Sequence, residues 1–146
     1  MGDWAPVHIT IGGNLPRHAL DLFAMRAADY DLRVAWDDEP FDPTAINGEE
    51  PLELYGTERN GGLIPDIEEL CVDHGLVFRR WSGGCYDVFS PEIIICDAEG
   101  SMHFYLASDD EEIVFSSGEI KGFTRLRDLK SAIARAEITI PPLVLV

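Results

Sequence analysis

Apolar and polar residues alternate from Val7 to Ile11, which predicts a strand with one buried and one open face. Gly12-Gly13-Asn14 is expected to end it. Pro16 then opens a helix, because its missing N–H is harmless in a first turn. Leu20, Phe23, Ala24 and Ala27 recur at helical spacing and give that helix a buried stripe. Leu32 to Trp36 reads as a second strand and Leu52 to Tyr55 as a third. Between them, Asp37 to Glu50 is acidic, carries Pro40, Pro43 and Gly48, and reads as a loop. Asn60-Gly61-Gly62 breaks the chain before a second helix opened by Pro65. Its stripe is Ile67, Leu70, Cys71 and His74, with Gly75 suited to the left-handed residue after the helix. Val77 to Trp81 follows as a strand.

These two stretches resemble one another. Gly12-Gly13-Asn14-Leu15-Pro16 aligns with Gly61-Gly62-Leu63-Ile64-Pro65 at an offset of 49, and Trp36 aligns with Trp81 at 45. The difference is about one helical turn. A duplicated β-α-β unit is one reading. Chance recurrence of Gly-Gly and Pro is the other.

Beyond Trp81 the pattern changes. Ser82-Gly83-Gly84 is a turn, and Tyr86 to Phe89, Glu92 to Cys96, Met102 to Ala107 and Ile113 to Phe115 read as an antiparallel meander. Ala98-Glu99-Gly100 is its clearest hairpin turn. Thr124 is placed to cap a third helix, with Leu126, Leu129, Ile133 and Ala136 inward and Arg125, Arg127, Lys130 and Arg135 making it basic. Ile138 to Ile140 is a candidate last strand. No linker or low-complexity segment divides residues 1–146, so one α+β domain is expected. The expected fold is a ferredoxin-like sandwich, with or without duplicated β-α-β units, extended by the meander and the C-terminal helix.

Composition allows a large core but makes the surface unusual. The 146 residues are 46% hydrophobic, yet 27 acids face 11 basic residues, a formal charge of −16. Such a field opposes direct binding of nucleic acid or anionic lipid, which needs Lys and Arg, and favours a basic partner. Cys71, Cys85 and Cys96 are odd in number and lack CxxC spacing, which suits a reducing, cytoplasmic setting. The first six residues lack the pattern of a signal peptide or a myristoylation site. The apolar C-terminal stretch is too short to span a bilayer.

The motifs for chemistry are weak. Gly12-Gly13-Asn14 is neither a dinucleotide nor a P-loop fingerprint and is best read as a tight turn. Cys71 and His74 lie three apart on one helix but share its apolar stripe, so packing explains them better than a metal. Cys85 would need a histidine base, and His8, His18 and His103 are remote in sequence. The acidic runs Asp37-Asp38-Glu39 with Asp42, and Asp109 to Glu112, do not fit a calcium loop. No catalytic residue, metal ligand or cofactor is assigned.

Charge patterning carries the functional expectation. From Asp29 to Asp73, fourteen acids face Arg33 and Arg59, a net −12. Asp66, Glu69 and Asp73 share one face of the second helix, with no Lys or Arg at i+4. Their axial spacings are about 4.5 and 6 Å, against about 3.4 Å of axis per strand between duplex phosphates. Asp37, Asp38, Glu39, Asp42, Asp66, Glu69 and Asp73 are therefore the candidate partner-binding face. The expected function is a non-enzymatic domain docking on a basic protein, as a DNA mimic, anti-restriction or immunity-like inhibitor would. Simple solvation of an acidic surface is the competing explanation. The alternative function is a small-molecule or catalytic domain with a site near the Gly-Gly turns and Cys85. Leu143-Val144-Leu145-Val146 could also pair across a two-fold axis in a homo-oligomer.

Overall fold

A computed structural model describes residues 4–36, 38–60, 63–85 and 89–146, with the side chains of 58–60 outside that set. The chain is mixed α+β. It runs β1 (Trp4–Leu15), α1 (Leu20–Asp29), β2 (Leu52–Asn60), α2 (Pro65–Asp73), β3 (Val77–Ser82), β4 (Glu92–Cys96), β5 (Met102–Ala107), β6 (Ile113–Val114), α3 (Ser117–Lys121), α4 (Leu126–Ala136) and β7 (Leu143–Leu145).

The sheet order is β2-β1-β3-β4-β5-β6, and each neighbouring pair is antiparallel. β7 joins the end of β1 in parallel. Because β2 and β3 both run against β1, they run parallel to each other with β1 between them. β2, α2 and β3 thus form a split β-α-β unit.

Alternation divides the sheet into two faces. Val7, Ile9, Ile11, Leu52, Leu54, Phe78, Ile94 and Cys96 pack with Phe23 and Ala27 of α1 and Ile67, Leu70 and Cys71 of α2. On the opposite face, Trp81, Ile93 and Ile95 form a smaller cluster with Tyr105, Ala107, Ile113 and Ile138. The helical cover ends before β5. Met102, Phe104 and Leu106 pair beside Cys96, Ile94 and Glu92 but stand 39%, 68% and 51% exposed.

The strands from β3 to β6 lie where alternation puts them, and α2 starts at Pro65 as expected. The Asp97 side chain holds the hairpin turn by accepting from Glu99 and Ser101 N–H, and those bonds pull its carboxyl below the usual range. Other expectations fail for identifiable reasons. Gly12 and Gly13 do not end β1 but carry it onward to β7. A Cβ at Gly12 would lie 1.9 Å from the Pro141 carbonyl oxygen, and Gly13 has φ +112°. The glycines therefore admit a crossing chain. Leu32 to Trp36 is not a strand, and only Arg33 makes isolated bridges, to Pro40 and Tyr55. The first of the two similar stretches consequently lacks its second strand.

Thr124 does not cap α4, whose N-cap is Arg125 without a side-chain bond. A capping box of Ser116 and Glu119 instead starts the short α3. Leu126, expected inward, is 66% exposed, while Ala132 and Ala136 make the contact. The last strand is Leu143–Leu145, directly after Pro141-Pro142, rather than Ile138 to Ile140. Most of Tyr86 to Phe89, together with Gly61-Gly62, lies outside the described residues.

One charged group sits inside the main core. Arg80 of β3 is 2% exposed. Its guanidinium meets Glu68 of α2 and Ser82, with Glu92 at 3.5 Å. Burial raises the Glu68 carboxyl pKa, the Arg80 charge opposes the rise, and Glu92 adds to it. The pair fixes α2 against β3 at the cost of desolvating two charges.

Two outcomes follow. Gly12→Ala should destabilise the chain by about 1–3 kcal/mol through overpacking against Pro141, measured by urea unfolding. An unchanged midpoint would remove the close-approach explanation. Arg80→Met should cost about 3–5 kcal/mol near neutral pH by stranding a buried carboxylate. In that variant burial and Glu92 both hold the folded Glu68 pKa above its unfolded value. The protonated form then contributes stability below the unfolded pKa, and this is lost as pH rises through the folded pKa. The deficit should shrink on acidification. A deficit equal at neutral and acid pH would argue against the Glu68 pairing.

Candidate functional site

Alternation in β1 turns Pro6, His8 and Thr10 away from α1 and α2. Strand register sets His8 between Tyr55 of β2 and Trp81 of β3, and Thr10 between Glu53 and Arg79. The His8 ring stacks on Tyr55 with centroids 4.2 Å apart. Trp36, from the loop after α1, closes over this pair. It meets Tyr55 at 4.8 Å and Trp81 at 6.5 Å, the latter nearly perpendicular at 83°. Four aromatic or imidazole rings from three strands and one loop thus form one cluster.

Carboxylates surround that cluster. Glu111 meets Nδ1 of His8, and Glu53 lies 3.4 Å from Nε2. Nδ1 is hydrogen-bonded to Glu111, whereas Nε2 lies near Glu53 without a hydrogen bond to it. Tyr55 has its hydroxyl pKa raised, first by burial and then by Glu53 and Glu111. Glu111 arrives on the β5–β6 turn, which folds back across the sheet. The turn is tied down by Trp81 Nε1 donating to the Ser108 carbonyl at 2.9 Å and Arg79 donating to the Glu111 carbonyl at 2.9 Å. Glu111 itself has φ +64°, a conformation that costs a non-glycine residue about 1–2 kcal/mol. The local strain is offset by contacts that aim its carboxylate at His8.

Two clefts open on either side of Glu111. One, of about 460 Å³, is lined by Pro6, Trp36, Thr57, Trp81, Asp109 and Glu111. The other, of about 550 Å³, runs between Arg79, Glu112, Phe115 and Ile133 and Glu137 of the α4 end. Two smaller clefts lie beside His103 and Arg135, and beside Glu50 and Leu52. Gly12, Gly13 and Cys85 line none of these four. Cys85 is half-buried and bridges to Phe89. Cys71 and Cys96 are fully buried, and burial pushes both thiols up, so neither is a nucleophile. His74 ends α2 and meets His18 edge-on at 6.1 Å. Among the described residues, no group of three or more His, Cys, Asp or Glu could hold a metal ion.

The sequence-predicted acidic residues divide. Asp66, Glu69 and Asp73 are exposed on α2, and among the described residues none joins an ion pair. Asp38, Glu39 and Asp42 are also exposed, but on the loop after α1. Asp38 accepts from Glu39 N–H, and Asp42 accepts from Thr44 N–H and Oγ1. These bonds to Thr44 lower the Asp42 pKa. Asp37 lies outside the described residues. The cluster of His8, Trp36, Tyr55, Trp81 and Glu111 was not assembled from sequence. The alternation did place His8 on an open strand face, but Glu111 reaches it only through the turn.

No protein-family model matches the chain, and no curated protein or solved structure matches it either.

Trp81→Phe keeps the ring but removes the bond to Ser108. It should cost about 0.5–1.5 kcal/mol and speed amide exchange in residues 108–112. Unchanged exchange there would show that other contacts hold the turn.

Proposed function

We propose that this chain is a non-enzymatic binding domain whose carboxylate-rich surface docks on a basic partner. The observation that carries the reading is the exposed row of Asp66, Glu69 and Asp73 on α2, a helix with no basic residue in its last turn. Its neighbour Glu68 turns inward to Arg80, whereas Glu69 and Asp73 face outward and the Asp66 side chain meets the Tyr30 hydroxyl. Carboxylates left in water keep their full charge for a partner's Lys or Arg and act at a distance when salt is low. The sharp form of the proposal is mimicry of a nucleic-acid backbone, as in an anti-restriction or immunity-like inhibitor. Asp38, Glu39 and Asp42 extend the acidic surface only through the groups their own loop leaves open.

The cleft beside Trp36 favours a second reading, a small-molecule-binding domain. That reading moves its site from the Gly-Gly turns and Cys85 to the sheet face around His8. The split β-α-β unit is in keeping with a ferredoxin-like relationship, which we include in the proposal. No helix among the described residues is long and apolar enough to cross a membrane. A cytoplasmic setting remains part of the proposal, on the strength of the reduced, buried thiols. Self-association through Leu143 to Leu145 receives no support, because that segment pairs with β1 of its own chain.

The test is capture from the source cell at low salt by the immobilised chain and by its Asp66→Asn, Glu69→Gln, Asp73→Asn triple variant. A basic protein should bind the parent, elute with moderate salt, be displaced by duplex DNA and be lost with the variant. Equal capture by both proteins would sink the α2 reading.

A further inference from the structure

The geometry points to a second, separate recognition site: the cleft lined by Trp36, Trp81 and Asp109 takes an alkylammonium group. It lies on the sheet face opposite α2, and it stands whether or not the α2 row binds a partner.

Three observations converge there. The first is the aromatic wall. Trp36 and Trp81 meet edge to face at 83° with centroids 6.5 Å apart, so the two indoles touch and form one continuous wall of the cleft. Trp81 is 7% exposed and anchored through Ser108, while Trp36 is 42% exposed and offers its surface to the cleft. A cation within about 6 Å of a tryptophan ring centre is attracted by the negative ring face. The second is charge. Asp109 and Glu111 line the same cleft, and among the described residues no Lys or Arg does. Glu111 is shared with His8, and Arg79 touches only its carbonyl from the neighbouring cleft. Asp109 is exposed and joins no ion pair among the described residues. The third is size. About 460 Å³ lies within the usual range for small ligands, and Pro6 and Thr57 close the ends with uncharged surface.

Aromatic faces combined with carboxylates select a weakly hydrated cation over both a neutral group and a compact metal ion. A hard metal ion would need several converging oxygens, and no such group occurs among the described residues. A neutral group would gain the aromatic contact but leave Asp109 unmatched. An alkylated ammonium satisfies both, since its methyl groups pack on indole while its charge faces Asp109 and Glu111. The same head group can come from a free quaternary amine or from a methylated lysine side chain.

The experiment titrates the full chain, at constant ionic strength, with tetramethylammonium, with a short peptide carrying one trimethyllysine, and with tert-butyl alcohol as the uncharged counterpart. The readouts are tryptophan fluorescence and the indole N–H resonances. Saturable shifts of the Trp36 and Trp81 signals are expected with the cations and not with the alcohol. Trp36→Ala and Asp109→Asn, both at exposed positions, should each weaken the binding by about tenfold. The α2 triple variant should bind unchanged. Saturation by tetramethylammonium but not by the peptide assigns a free amine. Saturation by the peptide alone assigns a side chain. The proposal is overturned if neither cation saturates, if the alcohol binds equally well, or if both single variants bind like the parent.

Discussion

The structure depends on β1 being hydrogen-bonded along both edges. It pairs with β2 on one side and β3 on the other, and its last residues pair with β7. A strand in that position has no free backbone groups to expose, so both of its faces can be given to side chains. Val7, Ile9 and Ile11 serve the core under α1 and α2. His8, one residue away from two of them, anchors a ring and carboxylate cluster on the other face. A slip of one residue in register would exchange these two sets completely. The core and the polar site are therefore specified by the same pairing.

Local signals in the chain are strong where each element needs only its own residues. The meander from β3 to β6 follows from period-two alternation. α2 follows from a proline at its first position and an apolar stripe at helical spacing. Reading fails where a distant segment decides. Gly-Gly at 12–13 looks like a terminator until Pro141 is seen crossing there. Leu32 to Trp36 has strand-like composition but meets the outer edge of β2 at one residue, Arg33 against Tyr55. Trp36 consequently serves as a lid over His8 instead of a strand residue. The carboxylate meeting His8, more than 100 residues away, had no sequence signature other than its place in an acidic run.

The charge of the chain is used in physically different ways. Glu68 is enclosed with Arg80 and holds two layers together. Glu53 and Glu111 bracket an imidazole at the sheet surface. Asp42 and Asp97 satisfy turn N–H groups, which is why their carboxyls titrate low. Glu69 and Asp73 do none of these things, and the Asp66 side chain bonds the Tyr30 hydroxyl. Net charge alone does not distinguish the four situations, because it counts a buried partner and a solvated one equally. Only the partners do.

The pairing of β7 with β1 also bears on how the chain reaches its native state. Gly13 joins Leu143, and Arg17 N–H donates to the Val146 carbonyl, so β1 is completed by residues that follow it by roughly 130 positions. The pairs β1–β2 and β1–β3 are themselves distant in sequence, while β3 to β6 close locally. Loop-closure entropy favours the local meander as the earlier structure and makes the addition of β7 a late step. During that interval the end of β1 is an open edge, which puts the growing chain at risk of pairing with a neighbour on the same polysome.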